Sequence, residues 1–375
     1  MPMCKPGLNK KFLIFCLLFL VVLIMPAGCQ NNKHELTVGV SWPIKSVNDD
    51  FLKGVLLAAE EINSNSEKDA IRIRLDTKDD EGTVTGGLTA AQSFVREGVA
   101  AVIGHRTSSV SIAASSIYEK AGIVMMSPTS TATNLTSKGY KFIFRDIPSD
   151  DESARQLALF AAKQGHRRMA IYYAENSYGL SLANSFEDHA KEAGIAIVDR
   201  ISGYSDYKDL ERISRKWKAL DFDGVFLAQD APEGAKFLGD RIKAGFDEPC
   251  IGGDGMDSPL LWEIGGAAAE GTVIGTVFNS QDSRKEVKQF ISSFNRKYNR
   301  APSTYAALGY DAVNLVAYAA QKAGTNTPTA IADSLRTLKD VPGVIGYHTF
   351  SSNGDDTGIK IVKKQVRDGK FVIVE

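Results

Sequence analysis

From residue 36 to residue 277, short apolar runs of strand length alternate with longer stretches whose apolar residues recur at helical spacing, and no other feature limits the fold so strongly. Runs at 36–40, 71–75, 100–103, 123–126, 169–173, 225–228, 250–252 and 273–277 are predicted as strands. Between them Phe51, Val55, Ala59 and Ile62 mark one helical face, and Val110, Ala114, Ile117 and Ala121 mark another. Gly122 and Gly194 stand where such helices need a closing residue of positive φ. Alternation of this kind folds as α/β with mostly parallel sheets, because each crossover helix covers a sheet face. A 375-residue chain exceeds one ordinary core, so two lobes are expected.

The chain before residue 36 belongs to none of this. Lys5, Lys10 and Lys11 precede an apolar run over 12–25, and Pro26, Ala27, Gly28 and Cys29 follow it. A basic start, a short apolar run and a small-residue exit describe an export signal, and the run falls short of the about 20 residues that span a bilayer. Ala27-Gly28-Cys29 resembles a bacterial lipobox, with Pro26 where that pattern prefers Leu. The resemblance implies that residues 1–28 leave as a lipoprotein signal peptide and that Cys29 becomes the lipidated first residue. Residues 29–35 then form a polar tether, and the acyl chains hold the protein to a membrane at about 0.8 kcal/mol per buried CH₂.

Cleavage there removes three of the 44 basic residues and none of the 45 acidic ones, leaving 41 against 45 and a formal charge of −4. That balance argues against nucleic acid as a partner. Cys4 and Cys16 leave with the signal and Cys29 carries lipid, so Cys250 has no partner for a disulfide. The histidines at 34, 105, 166, 189 and 348 lack metal-ligand spacing. The acidic stretch 77–82 lacks that of a calcium loop and is read as capping the next helix. Neither a cofactor nor a metal is expected.

Gly104, His105, Arg106, Thr107, Ser108 and Ser109 follow the predicted strand at 100–103 and feed a helix over about 109–121, which leads to the strand at 123–126. Strands joined in this way are parallel, so the loops 104–109 and 127–133 meet at one sheet edge, where open α/β sheets bind ligands. The two loops are rich in hydroxyls, with Ser108, Ser109, Ser127, Ser130 and Thr131 among them. Hydroxyls beside a helix N-terminus with unpaired N–H groups suit a carboxylate. Ser108 and Thr131 are the expected donors, assisted by backbone N–H groups near Ser109, Ser130 and Thr131. One hydroxyl can instead cap the helix, worth about 1 kcal/mol, but a cap accounts for only one of them. A nucleophilic Ser108 or Ser109, as in an esterase or amidase, needs a histidine held by a carboxylate. His105 sits on the same turn, and no Gly-x-Ser-x-Gly elbow surrounds either serine. Trp42, after the first strand, either walls a side-chain pocket or lies in the core.

Phe144-Arg145 through Pro148-Ser149-Asp150, Ser177-Tyr178-Gly179, Gly252-Gly253-Asp254-Gly255, Tyr310-Asp311-Ala312 and Phe350-Ser351-Ser352-Asn353-Gly354-Asp355 follow one another along the mature chain. In this order and spacing they resemble the type I periplasmic solute-binding proteins, in the leucine/isoleucine/valine-binding branch of ABC transporter components. The resemblance implies two Rossmann-like lobes with parallel sheets, joined by three crossovers. Residues 36–147 plus 278–346 are expected in the N-terminal lobe, and 148–277 plus 347–375 in the C-terminal lobe.

The same resemblance implies that Ser108, Ser130 and Thr131 hold the carboxylate and ammonium of the ligand. Asp254 neutralises the ammonium from the second lobe, at a position where relatives carry Glu, and Tyr178 covers the ligand. Arg106 and Asp230 stand where the aliphatic binders carry an apolar and an aromatic residue. They are expected to be solvated, to pair across the cleft on closure, or to read a polar or acidic ligand side chain. The implied protein is an exported, lipid-anchored monomer with no catalytic residue. It binds an amino acid or related small zwitterion or carboxylate by hinge closure and delivers it to an ABC permease and its ATPase. A sensor module of the same fold, serving a receptor, binds identically.

Overall fold

The computed structural model describes residues 1–3, 35–64, 67 and 70–374. The expected signal segment from residue 4 onward, the lipidation site Cys29 and the tether to residue 34 lie outside the described residues.

Two separate sheets carry the chain. In the first, β1 (Glu35–Trp42), β2 (Arg72–Asp79), β3 (Ala101–Ile103), β4 (Val124–Ser127) and β5 (Ile143–Arg145) lie in the order β2-β1-β3-β4-β5, every pair parallel. In the second, β6 (Arg168–Tyr173), β7 (Ala196–Ile201), β8 (Gly224–Ala228), β9 (Cys250–Gly252) and β10 (Val273–Thr276) are parallel in the order β7-β6-β8-β9-β10. A small ribbon of β11 (Val341–Pro342) and β12 (Tyr347–His348) stands apart. β13 (Val362–Arg367) and β14 (Lys370–Ile373) then extend the second sheet beyond β10 as an antiparallel hairpin.

Strand order reverses between β1 and β3 in one sheet and between β6 and β8 in the other. At such a point the loops leaving the carboxyl ends part to opposite faces and leave a crevice. Gly104 opens the first of them. Its φ is +147°, and a Cβ there would meet the Ser41 carbonyl oxygen at 2.4 Å, so only glycine lets the chain turn out of β3 so close to β1.

The eight expected strands are present with ends shifted by a few residues, while β5, β7 and β11 to β14 carry no apolar signal strong enough to announce them. β2 and β7 are edge strands and half-exposed, so polar residues such as Thr77, Lys78, Asp199 and Arg200 are tolerated in them. β13 is not an edge strand: Lys363 and Lys364, paired with β10, are buried, and Lys364 is held by Asp257 at 3.0 Å. The stretch 77–82 does not cap the following helix as expected. Thr83 does, its hydroxyl accepting from the Gly86 N–H at 3.0 Å.

Polar side chains from the quoted motifs hold the passages between the lobes. Arg145, at the end of β5, is fully buried and donates to Asp355 at 2.6 Å. Asp311 accepts from the N–H groups of Val344 and Ile345 at 2.8 Å each, and His348 Nδ1 lies 2.6 Å from Asp356. The third passage comes later than expected. Residues 347–356 stay with the first lobe: Phe350 packs edge-on against Phe144 at 5.8 Å, and the Gly354 carbonyl accepts from the Arg145 N–H at 3.0 Å. Ile359 and Ile361 join a core that holds Leu157 and Phe186, and the Ile361 N–H donates to Gln156 of the second lobe. Helix Lys285–Tyr298, expected in the first lobe, bridges both. Val287, Phe290 and Phe294 share a core with Leu157 and Phe186, while the Tyr298 hydroxyl donates to the Lys53 carbonyl at 3.0 Å. Motifs mark where a hinge is, not which lobe a neighbouring apolar face is buried against.

Candidate ligand-binding cleft

The two crevices face each other across a cavity of about 270 Å³. From the first lobe, helix Ser108–Ala121 points its N-terminus at it. Thr107 holds the N-cap position without a side-chain cap bond, and Ser108, Ser109 and Val110 line the cavity at the uncapped end. The Ser108 hydroxyl accepts from the Ala132 N–H at 3.3 Å, and Thr129 donates to the Arg106 carbonyl at 2.8 Å, which stitches the two hydroxyl-rich loops together. His105 is not poised beside a serine. It is fully buried, with Nδ1 2.6 Å from Asp80 and Nε2 3.2 Å from the Tyr118 hydroxyl, so both ring nitrogens are engaged in the core.

Arg145 fixes the second loop. Its Nη1 donates to the carbonyls of Ser130, Thr131 and Ala132 at 3.2, 2.6 and 3.0 Å. This packing uses up some expected donors. The Ser130 hydroxyl lies 2.6 Å from that of Ser111, and the Ser127 hydroxyl accepts from the Ser130 N–H at 3.3 Å. Both side chains are fully buried and outside the cavity wall, contrary to expectation, because they close the loop on itself. The Thr131 hydroxyl is buried and has no hydrogen-bond partner among the described residues.

From the second lobe, Asn176 accepts from the Gly179 N–H at 2.9 Å and starts helix Ser177–Glu192, which sends Tyr178 into the cavity. The Tyr178 hydroxyl donates to Asp254 at 3.1 Å and accepts from the Gly255 N–H at 3.0 Å. Glycines flank Asp254 because a Cβ on residue 253 would lie 2.6 Å from the Tyr178 oxygen. Burial pushes the Asp254 carboxyl up to about 6, with the Tyr178 hydrogen bond acting the other way. The lobes touch directly beside this site: Ser109 donates to the Ser177 hydroxyl and the Thr133 N–H to the Ser181 hydroxyl, each at 3.1 Å.

Asp150 escaped the sequence reading as a cleft residue, since its place in a helix first turn explained it. It is fully buried, and neither carboxylate oxygen has a hydrogen-bond partner among the described residues. Burial, and then the charge of Asp254, push it up to about 7. The Ser181 and Thr131 hydroxyls lie close enough to favour its charged form while outside hydrogen-bond geometry.

Arg106, Asp230 and Tyr305 also line the cavity, with Asp230 near enough for its charge to act on Asp254 and Tyr178. Arg106 donates to Asp49 at 3.2 Å and lies over the Tyr305 ring at 5.2 Å. Tyr305 was missed because only packing within the first lobe, where it lies edge-on to Trp42 at 6.4 Å, brings the start of helix Thr304–Ala323 beside Arg106. Trp42 does not wall the pocket. It is 1% exposed and stacks on Phe51 with centroids 3.6 Å apart, so the core claims it.

A cavity between two parallel-sheet lobes, with hydroxyl and N–H donors on one wall and a carboxylate on the other, defines a two-lobed small-molecule-binding protein. The chain belongs to the periplasmic binding protein family, whose model matches residues 36–360. It is 28% identical over 349 residues to a Leu/Ile/Val-binding protein homologue of Brucella melitensis, covering 91% of this chain and 94% of that one. An ABC transporter substrate-binding protein from Desulfitobacterium hafniense, solved in complex with Leu, is 44% identical with a TM-score of 0.84, covering 91% of this chain and all of that one. The branched-chain amino acid transporter substrate-binding protein of Streptococcus pneumoniae, solved with isoleucine, is 27% identical with a TM-score of 0.80, covering 91% and 99%.

Proposed function

We propose that the protein is the extracytoplasmic solute-binding component of an ABC importer, anchored through a lipid on Cys29, and that it closes on an α-amino acid. The observation that carries this reading is the split character of the cavity. The uncapped start of helix Ser108–Ala121 faces it from one lobe and Asp254 faces it from the other. A carboxylate suits the first wall and an ammonium the second. In this reading Ser108 and the N–H groups around Ser109 take the carboxylate. Asp254, with Asp150 and the Thr131 hydroxyl behind it, takes the ammonium, and Tyr178 holds Asp254 in place.

Charge-assisted hydrogen bonds contribute about 1.5–3 kcal/mol each, so four or five offset the cost of association and leave the roughly −8 kcal/mol of a micromolar complex. Because the donors and the acceptor come from different lobes, the ligand stabilises the closed form by contacts that the open form lacks. Binding without turnover is the role, with His105 locked in the core rather than activating a serine. The leucine and isoleucine of the solved relatives set the expected size of the ligand.

Titration calorimetry against the protein amino acids tests the binding, and uptake of the best-ranked labelled ligand in a deletion strain tests the importer role. Micromolar binding and lost uptake are expected. Unchanged uptake with loss of a ligand-triggered response would assign the same closure to a receptor.

A further inference from the structure

The charges around the cleft do not balance once the amino-acid head group is accounted for. Arg106 is matched by Asp49 at 3.2 Å, and Asp257 by Lys364 at 3.0 Å and by Thr304 at 2.6 Å. Asp254 has the Tyr178 hydroxyl, and the proposed ammonium needs it. Asp230 has neither a hydrogen-bond donor nor an ion-pair partner among the described residues, although it lines the cavity. It sits at the N-cap of helix Ala231–Lys243, yet its side chain makes no cap bond, so helix chemistry does not explain it.

Its surroundings say what it can hold. The central cavity adjoins a second one of about 640 Å³, and Arg106, Asp230 and Tyr305 line both. Together with Gly255 and Asp257, these three residues therefore stand where the two cavities meet. A ligand anchored by its head group between Ser108 and Asp254 has this junction within reach of its side chain, since one cavity is lined by all of these residues. An aliphatic side chain there would desolvate Asp230 without replacing its water, which costs free energy. A group bearing both an N–H donor and an acceptor satisfies Asp230 together with the Arg106 N–H groups that Asp49 and the Tyr305 hydroxyl leave unused.

Resting on the amino-acid reading above, we propose that the ligand is an α-amino acid with a carboxamide side chain, its NH₂ donating to Asp230 and its carbonyl oxygen accepting from Arg106. Asp230 and Arg106 are then the residues that set specificity, one from each lobe, and they read the ligand only in the closed form. Burial raises the Asp230 carboxyl, while the nearby Arg106 charge acts the other way.

Calorimetry of the wild-type protein with glutamine, asparagine, leucine and lysine tests this, followed by Asp230→Ala and Arg106→Leu, with thermal melts to show that each variant is folded. A carboxamide ligand is expected to bind at least tenfold more tightly than leucine or lysine, and each substitution to cut that ratio at least fivefold. Leucine or lysine binding as tightly as both amides in the wild type overturns the proposal whether or not the variants fold, as does a ratio untouched by Asp230→Ala. Tight leucine binding with a silent Asp230 sinks the carboxamide and leaves the amino-acid reading standing. Failure of every amino acid to bind removes both.

Discussion

Arg145 donates to the Thr131 carbonyl at 2.6 Å through Nη1 and to Asp355 at 2.6 Å through Nε, so one fully buried cation ties the cleft loop to the segment that leads into the third passage. Removing one partner of a buried, multiply bonded charge costs about 3–5 kcal/mol. Arg145→Met is expected to lose stability on that scale in denaturant titrations and to weaken ligand binding as the 130–132 loop loosens. Arg145→Lys keeps the charge but not the fork of donors, and is expected to fall between. Wild-type stability in the Met variant would show that the loop holds itself.

Asp254→Asn removes the charge proposed to meet the ammonium and keeps its shape. A charge-assisted bond of about 2–3 kcal/mol corresponds to a loss of about 30–150-fold in affinity. Calorimetry is the check, and a loss under threefold would place the ammonium elsewhere.

Tyr178→Phe leaves the Gly255 N–H without its acceptor and Asp254 without its donor. Affinity is expected to fall about tenfold, with a stability loss of about 1–3 kcal/mol from the unpaired N–H. Equal affinity in the two proteins, measured side by side, contradicts the positioning role.

The pH dependence follows from Asp150, pushed up to about 7 against an ordinary 3.8. Between about pH 4 and 7 the folded protein keeps a proton that the unfolded chain has released. The stability contributed by that neutral acid is full below about pH 4 and lost as pH rises through 7. Asp150→Asn cannot ionise. Its advantage over wild type is expected to grow by up to about 1.4 kcal/mol per pH unit across that window and then level off. Denaturant titrations at pH 4, 5.5, 7 and 8.5 measure it, and an advantage that shrinks with pH refutes the assignment. Ligand binding, which favours charged carboxylates here, is expected to strengthen over the same range.

Gly104→Ala puts a Cβ 2.4 Å from the Ser41 carbonyl oxygen at a φ of +147°. The expected cost is about 1–3 kcal/mol, read as a lower melting temperature. A neutral result means that β1 and β3 can separate at that point without penalty.

The α/β class, the eight apolar strands and the meeting of the 104–109 and 127–133 loops were legible in the sequence, because hydrophobic period and parallel-strand geometry act over short spans of chain. So was the placing of Arg106, Ser108, Tyr178, Asp230 and Asp254 in the loops and helix starts that follow strand ends. Which of those loops' hydroxyls turn outward was not legible. Ser130 faces Ser111 and Ser127 closes its own turn, while Trp42 falls to the core by stacking on Phe51. Tyr305 reaches the cleft by packing with Trp42 and Arg106 in the first lobe, Asp150 is buried where its N–H meets the Thr131 carbonyl, and residues 347–356 side with the first lobe through Phe350 and Arg145. These are contacts between residues far apart in the chain, and their outcome depends on competing burial and hydrogen bonding in three dimensions. Local pattern determined which elements form; only the packed lobes decided which side chains the cleft receives.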